Sequence, residues 1–146
     1  MSIMDAQTLL WDSAALTASA VSTNTYDTGA AGNDISIGEP LALELTVDVA
    51  ADHTTGNETY EFRVIQSANA DLSSADVLCS RVISYADLTA GKRQVIPIPP
   101  GSITKRYLGA DCVLAGTTPT ITVTASIKPM SMIENQKHYP KGYTIS

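Results

Sequence analysis

The chain has 146 residues, enough for one domain with a real core and too few for two comfortable ones. Nine basic residues against fifteen acidic ones leave a net charge of −6, which opposes non-specific attachment to phosphate backbones. Aromatic residues are scarce while Thr, Ser, Val and Ala abound, a mixture that favours strands and turns over long helices.

The N-terminal residues Met1-Ser2-Ile3-Met4-Asp5 lack the basic start of an export signal, and Leu9-Leu10-Trp11 gives way at once to Asp12-Ser13. No apolar run approaches the roughly 18–20 residues of a membrane helix, so no membrane partner is expected. Leu9, Leu10, Trp11 and Leu16 fit either one amphipathic helical turn or a short edge strand. From Val21 to Ile37 the chain is dominated by Ser, Thr, Asn, Asp and Gly, with a loop signal at Gly29 to Asp34.

Leu41 to Val49 is the clearest strand of the first half. Its odd positions are all apolar, and its even positions carry Ala42, Glu44, Thr46 and Asp48, predicting one buried and one solvated face. Thr59 to Ile65 reads as a return strand with Tyr60, Phe62 and Val64 inward, and the polar turn between them suits a hairpin or a meander step. Ser67 to Ala75 is a loop, Asp76 to Ile83 a strand of mixed burial, and Ser84 to Gly91 a turn with helical character near Ala86-Asp87-Leu88. Lys92 to Ile98 is short and stopped by Pro97, Pro99 and Pro100, which remove ladder donors and suggest an edge.

Ile103 to Leu114 and Thr120 to Ile127 flank a Gly/Thr/Pro turn and read as a hairpin. In the second run Ile121, Val123, Ala125 and Ile127 share one face, with Thr120, Thr122, Thr124 and Ser126 on the other. About eight short strands without a long helix predict an all-β, jelly-roll-like sandwich. We place that domain, with its N-terminal lead-in, at residues 1–128. Residues 129–146 form a C-terminal arm whose scattered Met132, Tyr139 and Tyr143 suit docking on a neighbour as well as fraying.

Sites of chemistry are poorly represented. His53 lies in a polar turn and His138 in the arm, both expected in solvent and neither with a partner at fixed distance. There is no Gly-x-Ser-x-Gly elbow, no Cys-x-x-Cys pair and no zinc spacing. Glu44, Asp48 and Asp52 recur every four residues, but on a strand Glu44 and Asp48 are simply the wet face. No catalytic residue, metal, cofactor or small-molecule substrate is therefore expected. Cys79 and Cys112 are expected as free thiols.

The basic pairs Lys92-Arg93 and Lys105-Arg106 flank the Pro99-Pro100-Gly101 turn, which has the means to set them side by side. They serve either to blunt an edge or to dock an acidic protein surface. Nucleic acid is not favoured, because no aromatic platform interleaves the charges.

Met4-Asp5-Ala6-Gln7-Thr8-Leu9, Gly38-Glu39-Pro40-Leu41, Lys105-Arg106-Tyr107-Leu108-Gly109 and Thr124-Ala125-Ser126-Ile127 recur in order and spacing. With these pieces the chain resembles the phage capsid cement (decoration) proteins of the Bordetella podophage type over nearly its whole length. The sequence departs from that pattern at Asp111-Cys112, where a more aromatic strand belongs.

The resemblance implies a jelly-roll-like sandwich without enzymatic activity that binds the exterior of an icosahedral head. Its partners would be the major capsid protein and itself, as a homodimer ahead of a homotrimer, assembled on virions in the bacterial cytoplasm. Lys92, Arg93, Lys105, Arg106, Tyr107, Met132, Tyr139 and Tyr143 are the expected interface residues. The alternative is a carbohydrate-binding or adsorption sandwich of a phage particle, which the scarcity of aromatic platforms disfavours.

Overall fold

The computed structural model describes residues 7–29 and 40–132. Its strands are β1 (Leu9–Leu16), β2 (Ala20–Val21), β3 (Tyr26–Asp27), β4 (Leu41–Val49), β5 (Thr59–Ser67), β6 (Asp76–Ile83), β7 (Arg93–Pro97), β8 (Tyr107–Ala115) and β9 (Ile121–Pro129). Two single 3-10 turns, Tyr85–Asp87 and Met130–Met132, are the helical pieces among the described residues. One sheet runs β1-β9-β4-β7, and the other runs β2-β8-β5-β6 with β3 also on β8. Every pairing is antiparallel.

If β2 and β3 are taken as one interrupted strand, the first strand pairs with the last, the second with the next to last, and so inward to the β5–β6 hairpin. That is one long hairpin rolled upon itself, the connectivity of a jelly roll. The expected all-β sandwich is what forms. Two expected hairpins are not. Strands β4 and β5 lie in different sheets, as do β8 and β9. Alternation marks the faces of each run, but it carries no information on whether a tight turn closes a ladder or crosses a sandwich.

At the β8–β9 crossing, Gly116 has φ +102°, and a Cβ there would lie 2.5 Å from the Asn57 carbonyl oxygen. Only glycine takes that backbone at that approach. The side chain of Asn57 then clasps Thr117, donating from Nδ2 to Oγ1 (3.1 Å) and accepting the Thr117 N–H at Oδ1 (3.0 Å).

The inward residues of both sheets form the core: Leu43, Leu45 and Val47 of β4, Tyr60, Phe62 and Val64 of β5, Leu108 and Ala110 of β8, and Ile121, Val123 and Ala125 of β9. Large members of such a set stabilise the fold by about 1.5–3 kcal/mol each relative to exposure. Trp11 meets Phe62 edge-on, with centroids 6.3 Å apart and planes at 80°. The open choice over residues 9–16 resolves as an edge strand, bulged between Leu9 and Trp11 and again between Trp11 and Ala14. The bulges let consecutive Leu10 and Trp11 both reach the interior, which strict alternation forbids.

The outer face of the four-stranded sheet differs from expectation. Glu44 is 4% exposed, and it takes a hydrogen bond of 3.1 Å from Lys128 Nζ, itself 3% exposed. Ala42 and Ser126 beside them are also buried. Only Asp48, farther along β4, is on a wet face, where Ser13 and Thr124 hydroxyls donate to its carboxylate. Alternation identified the side turned from the core, and at Glu44 that side is covered.

Cys79 faces Val64 on one flank of β5 and Cys112 faces Phe62 on the other, so a whole strand separates the two thiols. Both are free, and burial pushes each thiol upward from its ordinary range.

Candidate interaction surface

The jelly roll has two ends. Loops 50–58, 84–92 and 116–120 crowd one of them, where the Tyr60 hydroxyl donates to the Asp52 carbonyl and the Asp52 N–H bonds Thr120. Loops 68–75 and 98–106 form the other, tied by Gln66 Oε1, which accepts the N–H groups of Thr104 and Lys105.

The two basic pairs are parted by this geometry. The Lys92 carbonyl accepts from Val47 at the first end, and Arg93 pairs with Thr46. Lys105 lies at the second end, its ammonium 2.6 Å from the Asp76 carboxylate. Arg106 grips Asp27 with two hydrogen bonds, Nε to Oδ1 at 2.7 Å and Nη2 to Oδ2 at 2.9 Å, and its guanidinium carbon lies 5.1 Å from the Tyr107 ring centroid. The Arg106 hydrogen bonds, with help from the Gly29 N–H, hold the Asp27 carboxyl down at about 2. Those contacts make Arg106 a tie between β3 and the start of β8. Beside it a cavity of about 400 Å³ is lined by Gln7, Asn24, Thr25, Tyr26 and Asp27. Met132 lies in the last 3-10 turn, and Tyr139 and Tyr143 lie outside the described residues.

A different basic residue joins Lys92 and Arg93. Arg81 of β6 donates to the Val95 carbonyl of β7 at 3.4 Å, across the seam between the two sheets and two residues along from Arg93. The open side of the sandwich therefore carries Arg81, Lys92 and Arg93 on an otherwise acidic protein. Sequence reading passed over Arg81 because the pairing of β6 with β5, and its nearness to β7, follow from the roll and not from any local pattern.

The outer face of the five-stranded sheet is more open than its counterpart. Arg63 and Asp111 stand directly opposite each other and form an ion pair, which supplies the reason for an acid in a strand position that the resemblance would fill with an aromatic. Around them Val21, Val77 and Val82 are exposed, Val82 by 69%. One corner is closed by Leu72, from the 68–75 loop, seated on Gly109, where an added Cβ would lie 2.3 Å from Leu72 Cδ1.

His53 lies in the 50–58 loop at the first end. His53 is half-buried, against the expectation of a solvated ring, and stacks on Tyr85 with centroids 3.8 Å apart and planes at 10°. Its Nδ1 lies 3.6 Å from Glu58. Burial pushes the Glu58 carboxyl up, but donation from its own N–H, from the Thr55 hydroxyl and from the N–H groups of Gly56 and Thr55 outweighs it and leaves the group below its ordinary range. That carboxylate serves its own turn. His138 lies outside the described residues. Among the described residues no helix is long and apolar enough to cross a membrane, and no cluster of three or more metal-ligating side chains occurs.

Two antiparallel sheets, rolled with first strand against last, define an all-β jelly roll whose distinctive features are its faces and edges. The profile of the Bbp16 family, a Bordetella phage protein family, matches residues 10–127, and the chain belongs to that family. No curated protein matches it. Among solved structures, a chain of infectious bursal disease virus, Gx strain, aligns at a TM-score of 0.32 and 17% identity, over 82% of this chain and 30% of that one. The chain thus spans about a third of the length of that viral protein.

Proposed function

We propose that this protein is a phage virion component that binds the exterior of an icosahedral head and stabilises it by bridging major capsid subunits, as a capsid cement. Membership of a phage family over residues 10–127 is the observation that carries this reading. The mechanism is one of association, with no bond made or broken. A rigid roll presents edges and loops to two shell subunits at once, and the second contact forms at high effective concentration. Binding the assembled lattice better than free subunits then stabilises the closed shell. Self-association, as a dimer ahead of a trimer, adds a further bridge, with roughly 1,200–2,000 Å² expected at a stable interface.

Co-sedimentation with heads assembled in its absence tests the reading. Saturable, stoichiometric uptake and a rise in the temperature at which heads rupture are expected. Heads that neither take up the protein nor gain thermal resistance would overturn it.

A further inference from the structure

Among the described residues the roll leaves four strand edges, and three of them are blunted against further pairing. Strand β1 is bulged twice, has Ser13 at φ 45°, and has its Leu10 carbonyl taken by the Asn24 N–H. Strands β2 and β3 are two residues each. Strand β7 is five residues long, begins at Arg93 just after Lys92 and ends in Pro97. Bulges, brevity, proline and charge are the usual devices that keep an edge from recruiting another strand.

Strand β6 lacks most of them. It runs eight residues, Asp76-Val77-Leu78-Cys79-Ser80-Arg81-Val82-Ile83, without Pro, Gly or Lys, and bears one register shift. Its only strand partner among the described residues is β5. Val77 and Val82, its most apolar exposed members, face outward on the open sheet.

We propose that β6 takes up an extended segment of the shell subunit as an additional strand of the five-stranded sheet, a segment rich in β-branched residues and carrying a carboxylate that meets Arg81. This rests on the cement reading above. Main-chain hydrogen bonds to β6 supply the affinity, and alternate side chains of the guest pack beside Val77 and Val82 to set the register. Charge selects the guest. Arg81, with exposed Lys92 on the same open side, makes this side of an acidic protein attractive to an acidic strand. A second copy suits the edge poorly, because antiparallel pairing of β6 with itself about its middle sets Arg81 opposite Leu78 and offers it no carboxylate, while Asp76, the one acid of the strand, is engaged with Lys105.

Hydrogen–deuterium exchange on the full chain, free and bound to heads assembled without it, tests the proposal. Residues 76–83 are expected to exchange at least tenfold more slowly on heads. Val82→Lys and Arg81→Glu should each lower head occupancy at least tenfold, with thermal unfolding of the free protein near wild type. Occupied heads with unchanged exchange over 76–83 would overturn the strand addition and leave the cement reading standing. Absence of any binding would overturn both. Protection of 76–83 in the free protein that grows with concentration, in step with a doubled mass, would assign the edge to a second copy and overturn the proposal.

Discussion

The two sheets turn contrasting outer faces to their surroundings. On the four-stranded sheet the Glu44–Lys128 pair is almost wholly buried, with Ala42 and Ser126 beside it. On the five-stranded sheet the Arg63–Asp111 pair keeps 29% and 13% of its side chains exposed, among valines in solvent. Both are cation–carboxylate pairs on neighbouring strands, yet they do different work. A buried pair must offset the loss of hydration for two charges, and it punishes the loss of either partner. A pair near water contributes little and is readily replaced.

That contrast breaks most sharply at Lys128. Lys128→Met removes the buried ammonium that faces the Glu44 carboxylate and should cost about 3–5 kcal/mol in denaturant unfolding, whereas Glu44→Leu combined with Lys128→Met should recover most of it. Next in size, Gly109→Ala drives a methyl into Leu72 and should cost about 1–3 kcal/mol. Faster amide exchange across 68–75 would show that the loop has lifted. Arg63→Met should cost about 1–2 kcal/mol in the same unfolding assay, less than Lys128→Met, because the half-open Arg63 site admits water to the otherwise buried Asp111 carboxylate. A loss as large as that of Lys128→Met would erase the distinction between the faces.

The smallest effect is electrostatic and depends on pH. The folded Asp27 carboxyl, held at about 2, lies below its ordinary 3.8. Its contribution is therefore complete above about pH 4 and is lost as the pH falls toward 2. Asp27→Asn should flatten the acid limb of the stability profile over that window, and carboxyl NMR shifts would report the titration directly.

Much of the fold was legible from the residues. Alternation at 41–49, 59–65 and 121–127 marked the strands and their core faces, and the prolines after Ile96 marked an edge. What escaped was pairing, since Val123 meets Val47 and Ala14 rather than a strand joined to it by the 116–120 turn. Side-chain period reports a face, and it is silent on which distant strand lies alongside. Glu44 escaped for a related reason, because polarity at an outward position does not reveal what lies over it. Among the interface candidates the spacing of Lys92-Arg93 and Lys105-Arg106 suggested one patch, but a strand and a crossing intervene. Arg81 had a readable signal in the absence of Pro, Gly and Lys from its strand, which becomes informative only once that strand is known to be an edge.

Strand β9 lies in the middle of its sheet, with β1 on one side and β4 on the other. During synthesis, β1 and the β4–β7 pair have nothing to join them until residues 121–129 leave the ribosome. Closure must wait until β9 has been made, more than a hundred residues after β1, and contacts of such long sequence separation form slowly. A nascent chain is consequently an incomplete roll that exposes Leu43, Leu45 and Val47, so chaperone demand should peak just before the last strand emerges.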